Sequence, residues 1–140
     1  MSGAILAIDL GEARIGVAVA ERVDLPALPL ATIAHTNRDA DIGAIDAMAA
    51  ERGAETIVVG YPLKLDGTVG PAAQRVDRFV EALKARFRGE IVLVDERLTT
   101  AAAAKKLMAT GATGSKRRGV IDRLAAVEIL ESYLAARRRT

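Results

Sequence analysis

Along this chain the apolar residues change their period about a quarter of the way in. Up to residue 33 they come as short blocks at 5–9, 14–20 and 25–33, separated by turn residues. Gly11 opens the tight link between the first two blocks, and the first block ends on Asp9. Pro26 and Pro29 confine the start of the third block to a sheet edge or a loop, because proline cannot donate to a ladder. Three strands with short links predict an antiparallel meander. Beyond residue 38 a helical period takes over, with Asp39 or Asp41 placed to cap a helix to about Arg52 and Gly53 to end it. Ile42, Ile45 and Ala49 would form its inner face. Residues 56–60 are continuously apolar, which fits a strand covered on both faces. Tyr61-Pro62 stops that strand, residues 63–70 form a loop, and Pro71 suits the first turn of a helix. Val76, Phe79, Val80, Leu83 and Phe87 recur at helical spacing, with Gly89 closing the segment. Residues 91–94 make another buried strand, ending on Asp95-Glu96-Arg97.

The C-terminal third reads as helix, loop, helix. Thr99 or Thr100 can cap an alanine-rich helix to about Ala109. Residues 110–119 hold Gly111, Gly114, Ser115 and the run Lys116-Arg117-Arg118, and predict a mobile basic loop. A last helix runs from about Val120 to Arg137. Strands alternating with helices require crossover connections and parallel pairing. The expectation is a single α/β domain over residues 1–140, built on one mixed five-stranded sheet flanked by helices. His35, the single histidine, falls in a polar turn with Thr36, Asn37 and Arg38 and is expected at the surface without a chemical role.

Composition narrows the chemistry. The 140 residues are 51% hydrophobic and 27% charged, a soluble globular balance long enough to form a core. Aromatics are 3%, too few for base stacking on aromatic platforms as the main binding mode. Cysteine is absent, which excludes disulfides, thiolate zinc sites and cysteine nucleophiles. Charged residues at 9, 12 and 14 come too early for a secretory signal, and no apolar run approaches the roughly 18 residues that span a bilayer. No membrane association and a cytoplasmic location are expected. Charge is divided unevenly: residues 1–96 hold 10 Lys/Arg against 15 Asp/Glu, and residues 97–140 hold 10 against 3. A basic C-terminal third on an acidic body points to a polyanionic partner, through counterion release from phosphates.

Three acidic positions stand out. Asp9 ends the first strand, Asp95-Glu96 ends the last, and Asp122 lies near the start of the final helix. Ligands of open sheets bind beyond the carboxyl ends of the strands, where Asp9 and the 95–96 pair can converge if their strands are parallel neighbours. Successive strand residues face opposite sides, so only one of Asp95 and Glu96 can join Asp9, and parity alone leaves both open. Asp122 shares a helical stripe with Ala125, Ala126 and Ile129, which turns it inward, where an acid costs free energy unless paired or bound to a cation. Three carboxylates without His or Cys suit hard cations such as Mg2+ or Mn2+. Two such ions about 3.5–4 Å apart can clamp the attacking and leaving oxygens of a phosphodiester. Lys116, Arg117 and Arg118 lie just before Asp122 and can hold flanking phosphates. A nucleic-acid phosphodiesterase is the chemistry on which acids and charge agree.

Five pieces in order carry a resemblance: Asp9-Leu10-Gly11-Glu12-Ala13-Arg14-Ile15-Gly16; Gly60-Tyr61-Pro62 with Gly67; Gln74-Arg75-Val76 with Phe79; Asp95-Glu96-Arg97-Leu98-Thr99; and Asp122-Arg123-Leu124-Ala125-Ala126. Over nearly its full length the chain resembles the bacterial family of Holliday-junction resolvases and pre-16S rRNA nucleases. The resemblance implies a ribonuclease-H-like three-layer fold and a metal-bound catalytic triad of Asp9, Glu96 and Asp122, with Glu96 taken over Asp95. It implies that Arg14, Arg97 and Thr99 support the nucleic-acid site, and that the activity serves processing of pre-16S rRNA ends in ribosome biogenesis. RNA is then the expected substrate ahead of DNA, pre-ribosomal particles are expected partners, and monomer and homodimer both stay open. The chain departs from the family pattern at Ala20-Glu21, where Ser-Asp is common, and at Glu12-Ala13, where Thr-Lys is usual. The second departure removes a cation beside Asp9.

Competing expectations are a Holliday-junction resolvase acting in DNA recombination, and a non-catalytic nucleic-acid-binding or ribosome-assembly factor whose acids are structural. An ATP-dependent phosphotransferase is a third, since an Asp-x-Gly hairpin also opens actin-like and sugar-kinase domains. Those need a second domain around the nucleotide, which 140 residues do not accommodate.

Overall fold

The computed structural model describes residues 3–99 and 115–139, with side chains in the second stretch from residue 120 onward. The alanine-rich helix expected up to residue 109 and the loop expected over 110–114 lie outside the described residues. In order the elements are β1 (Ala4–Leu10), β2 (Arg14–Ala20), β3 (Leu28–Ala34), α1 (Arg38–Arg52), β4 (Ala54–Tyr61), α2 (Pro71–Lys84), β5 (Glu90–Asp95), a 3-10 turn (Glu96–Leu98) and α3 (Ser115–Arg138).

The strands form one sheet in the order β3-β2-β1-β4-β5. β1, β2 and β3 pair antiparallel, as their short links require, while β4 pairs parallel to β1 and β5 parallel to β4. β3 is an edge strand, where Pro29 is tolerated. β1 is buried along its whole length, because α-helices cover both sheet faces. Leu6, Ile8, Ile15 and Val17 face α1 and α2, meeting Ile42, Ile45, Val76, Phe79 and Leu83. Ile5, Ala7, Ala18 and Val58 face α3, meeting Ala125, Ala126, Ile129, Leu130 and Leu134. Small side chains predominate on the α3 side of β1 and β2, so that helix lies close to the sheet.

Several boundaries differ from expectation. Asn37, not Asp39 or Asp41, caps α1: its side-chain oxygen accepts from the Ala40 N–H at 2.9 Å. Asp41 is instead buried and paired with His35, so the histidine has a partner it was not expected to have. α2 ends at Lys84 before Phe87 and Gly89, although Phe87 still packs into the core. The backbone from Ser115 is helical, so the run Lys116-Arg117-Arg118 lies on the first turn of α3 and not on a loop. Among the described residues no helix is long and apolar enough to cross a membrane.

Candidate active site

Asp9 sits one residue before the end of β1, on the face turned to α3. Its neighbours across the sheet are glycines. On one side the β1–β2 register sets Asp9 opposite Gly16. On the other, Ile8 is paired with Val59, which brings Gly60 of β4 alongside. A Cβ at Gly16 would run into the backbone carbonyl of Asp122, and one at Gly60 would meet the Glu96 side chain and the tip of Ile129. The two glycines are therefore the places where the other two acids approach. Glycine inside an apolar strand marks such a close approach.

Glu96 reaches this face by parity. Val92 and Val94 belong to the α3-side core, and Glu96, two residues on, continues that side. It opens the 3-10 turn that ends β5, and Thr99 closes the turn by donating both its N–H, at 3.1 Å, and its hydroxyl, at 3.0 Å, to the Glu96 carbonyl. Asp95 points the other way. Its carboxylate accepts the Arg97 N–H at 2.9 Å and the Arg97 guanidinium at 2.8–3.1 Å. Those hydrogen bonds hold the Asp95 carboxyl below the usual carboxylate range and raise the Arg97 guanidinium. Arg97 also donates to the Leu65 carbonyl at 3.3 Å, tying the turn to the loop after β4.

Asp122 comes from α3, two turns into the helix and facing the sheet. Its Oδ2 accepts from Arg14 Nε at 2.9 Å, an ion pair from the first residue of β2 that is mostly buried on both sides. The next residue, Arg123, donates to the Thr32 hydroxyl at 3.0 Å and fixes the helix across β3. Asp9, Glu96 and Asp122 are 1%, 3% and 3% exposed, so all three acids are buried on one face at one end of the sheet.

β1 and β5 are not the parallel neighbours that direct convergence of their acids would need: β4 lies between them, and the bare Gly60 leaves room for Glu96 to reach across. The donor set is all carboxylate oxygen, which in kind suits a hard divalent cation. The acids are not drawn into a cage, since among the described residues no three His, Asp or Glu side chains form a group that could hold a metal ion. The Lys116, Arg117 and Arg118 side chains lie outside the described ones. Sequence reasoning missed the roles of Gly16 and Gly60, although each is a glycine within an apolar strand, which is a usable signal.

Over residues 3–136 the chain matches the RuvX family, described as Holliday junction resolvase. It belongs to that family. Relatives named "Putative pre-16S rRNA nuclease" include one from Geobacillus kaustophilus, 44% identical over 135 residues, covering 95% of this chain and 98% of the relative. Another, from Syntrophus aciditrophicus, is 44% identical over 132 residues, with 94% and 88% covered. The corresponding Clostridium tetani protein is 37% identical over 130 residues, with 93% and 94% covered. Among solved structures, Thermus thermophilus RuvC superposes with a TM-score of 0.55 at 14% identity, over 98% of this chain and 97% of that one. The fowlpox virus Holliday junction resolvase superposes with a TM-score of 0.53 at 12% identity, over 95% and 99%. At such identities the likeness concerns the fold alone: this RuvX-family chain has the ribonuclease-H-like α/β architecture expected from its sequence.

Proposed function

We propose that this protein is a divalent-metal-dependent nuclease that hydrolyses nucleic-acid phosphodiester bonds, with pre-16S rRNA ends as its substrate in the cytoplasm during ribosome biogenesis. The observation that carries this reading is the burial of Asp9, Glu96 and Asp122 on one sheet face, with the cross-strand positions beside Asp9 left bare by Gly16 and Gly60. Burying three acids together is costly unless cations compensate. Membership of the family and the names of its relatives support the same activity and the RNA substrate.

Asp9, on a strand buried at every residue, would be the fixed ligand, with Glu96 supplied by the 3-10 turn and Asp122 by α3. These residues would hold Mg2+ or Mn2+, as a pair, which would supply Lewis-acid charge at the scissile phosphate and acidify a water. Arg14 holds Asp122 in place beforehand and balances its charge. Arg97 and Thr99 set the turn that presents Glu96, and Lys116, Arg117 and Arg118 grip flanking phosphates from the first turn of α3.

Two observations favour other readings. The family's description favours a four-way DNA junction as substrate. The Arg14–Asp122 ion pair and the ungathered acids favour a binding or assembly factor without catalysis. One experiment separates all three: labelled single-stranded RNA, duplex DNA and four-way junctions are incubated with wild type and with Asp9→Asn in Mg2+ or Mn2+. Cleavage of RNA by wild type alone is expected. Cleavage of junctions alone selects the resolvase, and binding with no cleavage of any substrate removes the nuclease reading.

A further inference from the structure

The opposite face of the sheet carries a second feature at the same end. A cleft of about 360 Å3 opens between the start of α1 and the first half of α2, within the roughly 300–1,000 Å3 of ligand pockets. Arg38 of α1, Arg75 and Arg78 of α2, and His35 line it, with Leu10 and Phe79 at its base. Arg75 is fixed, donating to the Leu10 carbonyl at 2.9 Å, and Leu10 is the residue after Asp9. Arg38 and Arg78 are exposed, and among the described residues neither has a carboxylate partner. The acid in the cleft, Asp41, is already engaged: Oδ2 with His35 Nδ1, and Oδ1 with the Thr36 N–H at 3.3 Å. The positive end of α1 points into the same space.

We propose that this cleft binds a backbone phosphate of the nucleic-acid strand whose scissile bond lies at the triad. Guanidinium groups match phosphate oxygens in pairs, and three of them on two helices form a fork for one anion. Phe79 is 5% exposed, so no aromatic face is offered to a base, and the cleft reads charge without sequence. Asp9 and Leu10 point to opposite faces, so a strand passing around the carboxyl end of β1 meets the triad on one side and the cleft on the other. The inference rests on the nuclease reading for its strand, yet binding tests it without cleavage.

Binding of a labelled single-stranded RNA oligonucleotide is measured by anisotropy in chelator across a salt series. The proteins are wild type, Arg38→Ala/Arg78→Ala, Arg38→Lys/Arg78→Lys, and Arg22→Ala/Arg52→Ala, which removes equal charge around the far end of α1. The cleft Ala pair is expected to weaken binding several-fold at low salt and to flatten the slope of log K on log salt by about 0.7 per lost contact. The Lys pair should keep the slope, and the remote pair should leave both quantities unchanged. Wild-type affinity and slope in the cleft Ala pair overturn the proposal, as does an equal loss in the remote pair. In a separate arm, inorganic phosphate is titrated against the His35 ring resonances. A phosphate response combined with indifferent RNA binding marks a free-anion site and also overturns the strand reading. Cleft-dependent RNA binding by a protein that never cleaves in Mg2+ or Mn2+ upholds this inference while removing the nuclease activity.

Discussion

A methyl group at position 16 meets the backbone carbonyl of Asp122, and backbone cannot rotate aside as a side chain does. Gly16→Ala therefore has to push α3 off the sheet, and a loss of about 1–3 kcal/mol is expected in chemical denaturation. At position 60 the obstacles are the tip of Ile129 and the Glu96 side chain, both of which can shift. Gly60→Ala is expected to cost less stability and more cleavage, because it displaces one of the proposed metal ligands. Equal losses of stability in the two variants would count against this geometry. Of the acids themselves, Asp9→Asn, Glu96→Gln and Asp122→Asn should each abolish cleavage with the fold intact by circular dichroism; three variants cleaving at the wild-type rate would remove the triad. Position and type made these acids legible in the sequence: a carboxylate at a strand end, and one on an apolar helical stripe. Choosing Glu96 over Asp95 was not legible from parity alone, since that requires knowing which face of β5 α3 covers. Nor does any local signal tell that Asp41 leaves the cap to Asn37 and turns to His35, a choice made by tertiary packing.

At the scale of elements, the end of β5 and the turn after it are held by the Asp95–Arg97 pair. Because hydrogen bonds from Arg97 depress the Asp95 carboxyl, its contribution to stability is complete above the ordinary carboxylate pKa and is lost as pH falls through the lowered value. Both side chains are partly exposed, so the contribution is small. Asp95→Asn should flatten that part of the acid limb in melting temperature against pH, and an unchanged limb would show the pair to be idle. The start of α3 was read too late because Gly111, Gly114 and Gly119 gave the segment before Val120 the look of a loop. Lys and Arg are good helix formers, and the cost of Gly119 inside a helix, about 1 kcal/mol, is met by the buried stripe that anchors the helix downstream. That shift puts the basic run on helical backbone, between one and two turns before Asp122. Changing Lys116, Arg117 and Arg118 together to Ala should weaken RNA binding irrespective of sequence and reduce the salt slope by roughly 2 for three contacts on a single strand. An unaltered slope would make the turn a bystander.

For the whole molecule, the change of period at residue 38 sufficed to predict a meander followed by parallel crossovers, since strand pairing follows from link length. The strand order did not follow, because nothing local places β4 between β1 and β5. That order explains how the site holds together. The sheet and α3 bury three acids on one face, and buried acids are a load on the fold unless cations compensate them. On the proposed reading, metal binding and stability are linked: a cation that binds the folded chain and not the unfolded one raises the melting temperature with its concentration. Mg2+ and Mn2+ are expected to raise the melting temperature of wild type, and Asp9→Asn, which removes one buried carboxylate charge, should start higher and gain less. Calcium should also stabilise, since about 6–8 oxygens at roughly 2.3–2.6 Å can be drawn from the same carboxylates and from water. It should support RNA binding with little cleavage, because magnesium demands near-octahedral geometry at about 2.0–2.1 Å and calcium does not, and small errors in the placement of reacting groups are costly to rate. Melting, filter binding and single-turnover cleavage measured in parallel with each ion decide the matter. Stabilisation by all three ions with cleavage only in Mg2+ or Mn2+ is the expected pattern. Melting indifferent to every ion, or equal cleavage in calcium and in chelator, would show that the buried acids are not a metal site.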